Sequence, residues 1–316
     1  MAQSSPSVTI LIPTKNRKDL LRRAISSCFA QTVPIELIVL DDGSTDGTGD
    51  MVRAEFPRTQ YHYFEQSKGP CFLRNRAAKL AHGDFLVSID DDAAFVSRQT
   101  VEQTLAEFST PRIGAVSIPY INKQISAEVH QHAPDDREIY LTSAFAGVAH
   151  AVRKVAFMAS GGYREDHFYK GEATDLCLRM LACGFVTRLG MADAVEHYAS
   201  ADRDSKWADL YARRNQLLSA WENVPFSKLP GRLVSATTSG LGQGRKSGRS
   251  MRMVRGLLWG YGSIVTHLLS RSAVPVGTYE LFRRLSKQPQ ALRAIDPLLP
   301  PLSSSRRGSK GARRSI

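Results

Sequence analysis

The first ninety residues alternate two periodicities, and this alternation restricts the fold more than any other feature of the chain. The β-branched runs "SVTILIPTK", "IELIVL" and "FLVSID" read as buried strands, with "YHYFEQ" a shorter one. Between them, "KDLLRRAISSCFAQT" sets Leu20, Leu21, Ala24, Ile25 and Cys28 at helical spacing, and Thr48 to Phe56 reads as a second helix. "GPCFLRNRAAKLA" is a third, opened by Gly69 and Pro70. Such alternation predicts an α/β fold: a doubly wound, mostly parallel sheet with right-handed crossovers. Ligands of these sheets bind beyond the carboxyl ends of the strands. Pro13, Asp41 with Asp42, and Asp90 to Asp92 all fall there, so two acidic clusters about 50 residues apart are brought to one sheet edge.

Beyond Ala93 the alternation loosens. "VEQTLAEF" reads as helix, "IGAVSIPYI" as strand, and "LTSAFAGVAHAVRKVAFMASGGY" as an apolar segment of small residues. "EATDLCLRMLACGFV" is a helix stopped by Gly184, and "VTRLGMADAVEHYA" suggests two short strands ending near His197. "SATTSGLGQGRKSGRS" reads as a linker or mobile loop, and residues 303–316 as a disordered basic tail. The expected division is a catalytic domain over 1–225, a basic helical extension over 226–302, and the tail. Cys28, Cys71, Cys177 and Cys183 show no paired spacing, so buried thiols are expected, with neither disulfide nor zinc.

Three adjacent carboxylates raise the cost of ionising one another. Asp90 to Asp92 are a solvated turn, a hard-cation site or an acid/base pair. Neighbouring strand residues face opposite sides, which makes Asp90 and Asp92 partners and turns Asp91 away. Mg2+ and Mn2+ are held by one or two carboxylates together with substrate phosphates. No phosphate-cradling G-x-x-x-x-G-K-[ST] or G-x-G-x-x-G occurs, so a bound diphosphate would be neutralised by metal. This points to an enzyme of nucleotide-sugars.

"VTILIPTKNR", "IELIVLDDGSTDGT", "GPCFLRNRAAKLAHGDFLVSIDDDA", "GGYREDHFYKGEATDLCLRMLACGFV" and "AVEHYA" follow one another as the motifs of family 2 glycosyltransferases do. The chain resembles that family from roughly Ser7 to Pro225. The resemblance implies the GT-A fold, a mixed and mostly parallel sheet flanked by helices, here with a C-terminal helical extension. It also implies inverting, metal-dependent transfer of a sugar from a nucleotide-diphospho-sugar to a hydroxyl acceptor, in polysaccharide or glycolipid synthesis. Pro13, Thr14 and Arg17 would line the base, and Asp42, or Asp41, would bond its edge. Arg74 would approach the nucleotide, and Asp91 is counted with the nucleotide-sugar residues. Asp90 would face ribose and metal, and Asp92 would ligate Mn2+ or Mg2+ with His197. The family commonly shows two adjacent acids before the "DLCLR" helix; the second is Ala173 here, which leaves Glu172 as the leading base and Asp175 second, or a helix cap.

From Phe226 onward 17 Lys and Arg stand against Glu280 and Asp296, a net +15 that leaves −3 on the first 225 residues. "SMRMVRGLLWGYGSIVTHLLSR" flanks an apolar centre with cations, which fits either an interfacial segment on anionic lipid or ordinary helix packing. The expected acceptor is a saccharide or lipid-linked molecule. The expected location is cytoplasmic, with or without peripheral attachment to the inner face of the cytoplasmic membrane; no signal peptide or spanning segment is expected. Two rivals remain: a catalytically silent nucleotide-sugar binder, and a nucleic-acid-binding protein acting through the tail, which would leave the carboxylates unexplained.

Overall fold

In the computed structural model, which describes residues 7–198 and 205–303, the alternation begins with the first strand. Strands β1 (Val8–Thr14), β2 (Ile35–Asp41), β3 (Gln60–Tyr63) and β4 (Phe85–Ile89) are joined by helices α1 (Lys18–Phe29), α2 (Thr48–Glu55) and α3 (Gly69–Leu80). They lie in the order β3, β2, β1, β4, every pair parallel. The central strand is buried on both faces. Val8, Ile10 and Ile12 enter one core layer with Leu21 and Ile25 of α1, while Leu11 enters the opposite layer with Leu73 and Ala77 of α3. Burying each such side chain contributes about 1.5–3 kcal/mol. A one-residue slip would exchange the two faces, so the register is strongly specified.

The second half is mixed. It comprises β5 (Ala93–Phe95), α4 (Thr100–Ala106), β6 (Ile113–Ser117), β7 (Tyr120–Asn122), β8 (Val129–His130), β9 (Tyr140–Thr142), β10 (Ala149–Arg153), α5 (Lys154–Ala159), α6 (Glu172–Ala182), β11 (Val186–Leu189) and β12 (Val195–His197). Strand β10 runs antiparallel between β4 and β6, and β11 and β9 continue the main sheet. The run "IGAVSIPYI" is two strands rather than one: β6 belongs to the main sheet, and after Pro119 β7 joins a small sheet of order β5, β12, β7, β8. Proline donates no backbone hydrogen bond, which suits it to this change of sheet. In the small sheet His197 pairs with Ala93 and with Asn122. A residue over 100 positions away is thereby set beside the aspartate triplet.

The chain continues through α7 (Ser205–Asn223), α8 (Leu229–Ser247), α9 (Ser250–Thr266), α10 (Val276–Leu285), β13 (Gln290–Ala291) and the short α11 (Leu292–Ile295). The Gly, Ser and Arg segment expected as a linker or mobile loop lies largely within α8, and this is a correction. Its glycines permit close helix packing: a Cβ on Gly244 would meet Ser250 Cα of α9 at 2.9 Å. Tertiary packing overrides the poor helix propensity of glycine. The chain then returns to the sheet. Tyr279, Leu281 and Phe282 of α10 enter the main core, and β13 pairs antiparallel with the edge strand β9. All four cysteines are buried. Among the described residues no helix is long and apolar enough to cross a membrane. Residues 304–316, nearly all of the expected basic tail, lie outside the described residues.

Candidate active site

A cavity of about 830 Å3 opens at the carboxyl ends of β1, β2 and β4, where the sheet topology calls for a ligand site. Pro13, Thr14, Arg17, Asp42, Arg74, Asp90, Asp91, Glu172 and His197 all contribute to its wall. Strand β4 ends at Ile89, and Asp90 to Asp92 form a turn closed by the Ala93 amide donating to Asp90 O at 3.1 Å. Strand alternation therefore does not govern the triplet, and Asp91 is not turned away as expected. One nitrogen of Arg17 reaches Asp91 at 2.9 Å and Asp92 at 2.8 Å, and the Thr14 hydroxyl donates to Asp91 at 2.9 Å. Burial pushes the Asp91 carboxyl up to about 6, against the pull of Arg17.

Asp90, Asp92 and His197 each offer one ligand atom, all within 4.8 Å of one another. His197 Nδ1 lies 2.9 Å from the Asn122 side-chain oxygen, so that nitrogen donates and Nε2 presents its lone pair. Nε2 is buried without a hydrogen-bond partner, 3.2 Å from Asp92 Oδ1 but not in hydrogen-bonding geometry. Two carboxylates and an oriented imidazole fit a divalent cation such as Mn2+ or Mg2+. A second triad, His167, Asp175 and Glu222, has similar spacing, but Arg164 bridges both of its acids at 2.7 Å and already neutralises them.

Glu172 opens α6, and its carboxylate lies near Arg74. The guanidinium of Arg74 is buried, donates to Ser88 Oγ at 3.1 Å and to Asp90 at 2.9 Å, and approaches Glu172 Oε1 to 3.8 Å. The other oxygen, Glu172 Oε2, is buried and accepts no hydrogen bond.

Of the expected residues, Asp41, Asp92 and Asp175 do not line the cavity, and Asp42 lines it with both oxygens engaged. Asp41 is fully buried, accepting from the Tyr61 hydroxyl at 2.6 Å and the Ser44 amide at 2.7 Å, and is not on the cavity wall. Asp42 is on the wall, but its oxygens receive Ser67 Oγ at 2.6 Å and the Lys68 amide at 2.7 Å at the start of α3. Asp175 is not on the wall either. It is bound by Arg164 at 2.7 Å, Arg179 at 2.6 Å and Asn223 at 2.6 Å.

Sequence reasoning missed Asn122, which orients His197, and Asn215, which holds the loop before Glu172. The Asn215 amide donates to the carbonyls of His167, Tyr169 and Lys170 at 2.7, 2.9 and 2.6 Å. That loop carries Phe168 and Lys170 at positive φ, a conformation that needs such support. Neither asparagine has a local signal, because each acts on a segment remote in sequence.

A doubly wound sheet with an acidic, histidine-completed cavity at its carboxyl edge defines a GT-A glycosyltransferase fold. The profile described as Glycosyl transferase family 2 matches residues 9–165, and the chain belongs to that family. It is 30% identical over 207 residues to the succinoglycan biosynthesis protein ExoU of Rhizobium meliloti, covering 58% of this chain and 60% of the relative. It is 28% identical over 180 residues to the GalNAc(5)-diNAcBac-PP-undecaprenol beta-1,3-glucosyltransferase of Campylobacter jejuni, covering 54% and 58%. The chain thus matches less than two thirds of the length of either relative. Among solved structures, the mannosyltransferase PcManGT from Pyrobaculum calidifontis, in complex with GDP-Man and Mn2+, superposes with a TM-score of 0.57 at 18% identity, covering 89% of this chain and 80% of that one.

Proposed function

We propose that the chain transfers a sugar, with inversion, from a nucleotide-diphospho-sugar to a hydroxyl of a saccharide or lipid-linked acceptor in cell-envelope polysaccharide or glycolipid synthesis. The observation that carries this reading is Glu172: a buried carboxylate oxygen without a donor, beside the arginine that also binds Asp90. Such an oxygen is suited to accept the proton of an incoming hydroxyl, a general-base role. The acceptor oxygen then attacks the anomeric carbon from the face opposite the diphosphate, and the bond to the nucleoside diphosphate breaks. Asp90, Asp92 and His197 would hold Mn2+ or Mg2+, which supplies positive charge to the departing diphosphate. Arg17 and Arg74 brace these carboxylates, and Thr14 fixes Asp91. The PcManGT complex with GDP-Man and Mn2+ supports a donor and metal of this kind, and the relative named for a PP-undecaprenol substrate supports a lipid-linked acceptor.

The test is a thermal-shift panel of UDP-, GDP- and dTDP-sugars, each with Mn2+, Mg2+ or EDTA. A rise in melting temperature that needs metal and disappears in Asp92→Ala is expected. Glu172→Gln should keep that rise and lose roughly 10²–10⁴-fold in transfer rate. No shift with any donor would overturn the reading.

The reading extends to a peripheral location on the cytoplasmic face of the membrane. Met251, Leu258 and Val265 are exposed at seven-residue intervals on α9, giving one apolar stripe, with Val234 and Leu241 exposed on α8. The excess of cations from Phe226 onward favours an anionic surface.

A further inference from the structure

A second cavity, of about 430 Å3, lies among α6, α7, α8 and α10, and no Asp or Glu lines it. Arg213, Arg232 and Arg283 reach it from three different helices. Among the described residues none of the three makes an ion pair, and Arg213 Nε is buried without a hydrogen-bond partner. The carboxylate closest in effect, Asp209, is already paired with Arg249 at 2.9 Å. Burial holds the Arg232 guanidinium below its ordinary value, and the charges of Arg283 and Arg213 add to this against the opposing effect of Tyr279. Gathering like charges in a partly closed space without a counter-charge costs stability. An anion entering the cavity would remove that cost and would meet planar donors suited to phosphate oxygens.

The cavity's position gives the anion a role. Both cavities include Gly171 and Thr174, which flank Glu172. A molecule presenting a hydroxyl at Glu172 can therefore extend past the start of α6 to the arginines. Tyr279 and Phe282 add an apolar wall there.

We infer that the second cavity is an acceptor subsite for a phosphate or diphosphate group, so that the acceptor is a phosphorylated molecule rather than a neutral glycan. This deepens the glycosyltransferase reading and rests on it. The donor diphosphate and the acceptor phosphate then occupy separate places, one served by metal and the other by arginine.

The experiment is calorimetric titration of the full chain in EDTA with farnesyl diphosphate and with inorganic pyrophosphate. Wild type, Arg283→Gln, Arg232→Gln/Arg283→Gln and Arg17→Gln are compared, with melting temperatures taken for each. Arg283 is exposed at the rim, so its variant reads binding even where the double variant fails to fold. The expected result is an affinity about tenfold weaker in Arg283→Gln, weaker again in the double variant, and little changed in Arg17→Gln. Tighter binding of farnesyl diphosphate than of pyrophosphate assigns a lipid-linked acceptor; equal binding assigns a water-soluble phosphorylated one. No binding to wild type, or binding lost in Arg17→Gln and unchanged in both arginine variants of the second cavity, overturns the inference. Those outcomes leave the metal-dependent donor shift untouched, so the two readings fail separately.

Discussion

Glu172 and Asp175 stand three residues apart at the start of one helix, yet they have opposite surroundings. Glu172 faces the cavity with one oxygen unsatisfied, whereas Asp175 is enclosed by Arg164, Arg179 and Asn223. Burial works against ionisation of Asp175, but Arg179 and Arg164 hold its carboxyl far below its ordinary 3.8. Removing it strands Arg179, while Arg164 keeps Glu222, so Asp175→Ala should lose about 3–5 kcal/mol, read by urea unfolding. Because its folded-state pKa is depressed, its stabilisation is complete above its unfolded value and fades as pH falls below about 4. Acid unfolding of wild type should therefore steepen there, and that part of the slope should be absent in a folded Asp175→Asn variant. The sequence carried a hint of this fate in the i to i+4 spacing of Asp175 and Arg179, a helical ion-pair spacing. Helical phase cannot show which residue of a first turn meets a cavity and which meets a second helix.

At the scale of elements, α8 shows where glycine content turned the reading the wrong way. Four glycines between 235 and 250 suggested a linker, but that segment lies largely within α8. On the neighbouring α9 a Cβ on Gly256 would meet Arg213 Cβ at 2.8 Å and the Leu210 carbonyl at 3.0 Å. Gly262, on the same helix, has nothing within 4 Å. Gly256→Ala should destabilise by about 1–3 kcal/mol, since the clash exceeds the gain in helix propensity. Gly262→Ala should instead stabilise by roughly 0.5–1 kcal/mol. Equal responses of the two in thermal denaturation would show that α9 does not pack on α7 as described. The strands were legible for the opposite reason. Val8 to Ile12, Leu37 to Leu40 and Phe85 to Ile89 are buried from both sides, and continuous apolar runs of that length have few other uses.

For the whole molecule, the excess of cations lies in the segment from Phe226 onward, which also carries most of the exposed large apolar side chains. Binding to vesicles rich in anionic lipid is expected to weaken steeply as salt rises, because screening shortens to about 8 Å at physiological ionic strength. Leu258→Glu/Val265→Glu should abolish that binding at unchanged melting temperature, since both side chains are exposed. Cosedimentation that is insensitive to both salt and these substitutions would count against a membrane face.

The sequence by itself determined the sheet, its family and the carboxylates at its edge, because local periodicity and strand-end position are written in consecutive residues. Only the tertiary structure decided that Asp91 joins its neighbours through Arg17, that Asn122 aims His197, that Asp175 is sealed in an ion-pair network, and that three arginines from three helices share one cavity. Each of these depends on side chains brought together across tens of residues. No local pattern encodes such a meeting, since its free energy arises from burial and charge pairing that exist only once the chain has closed.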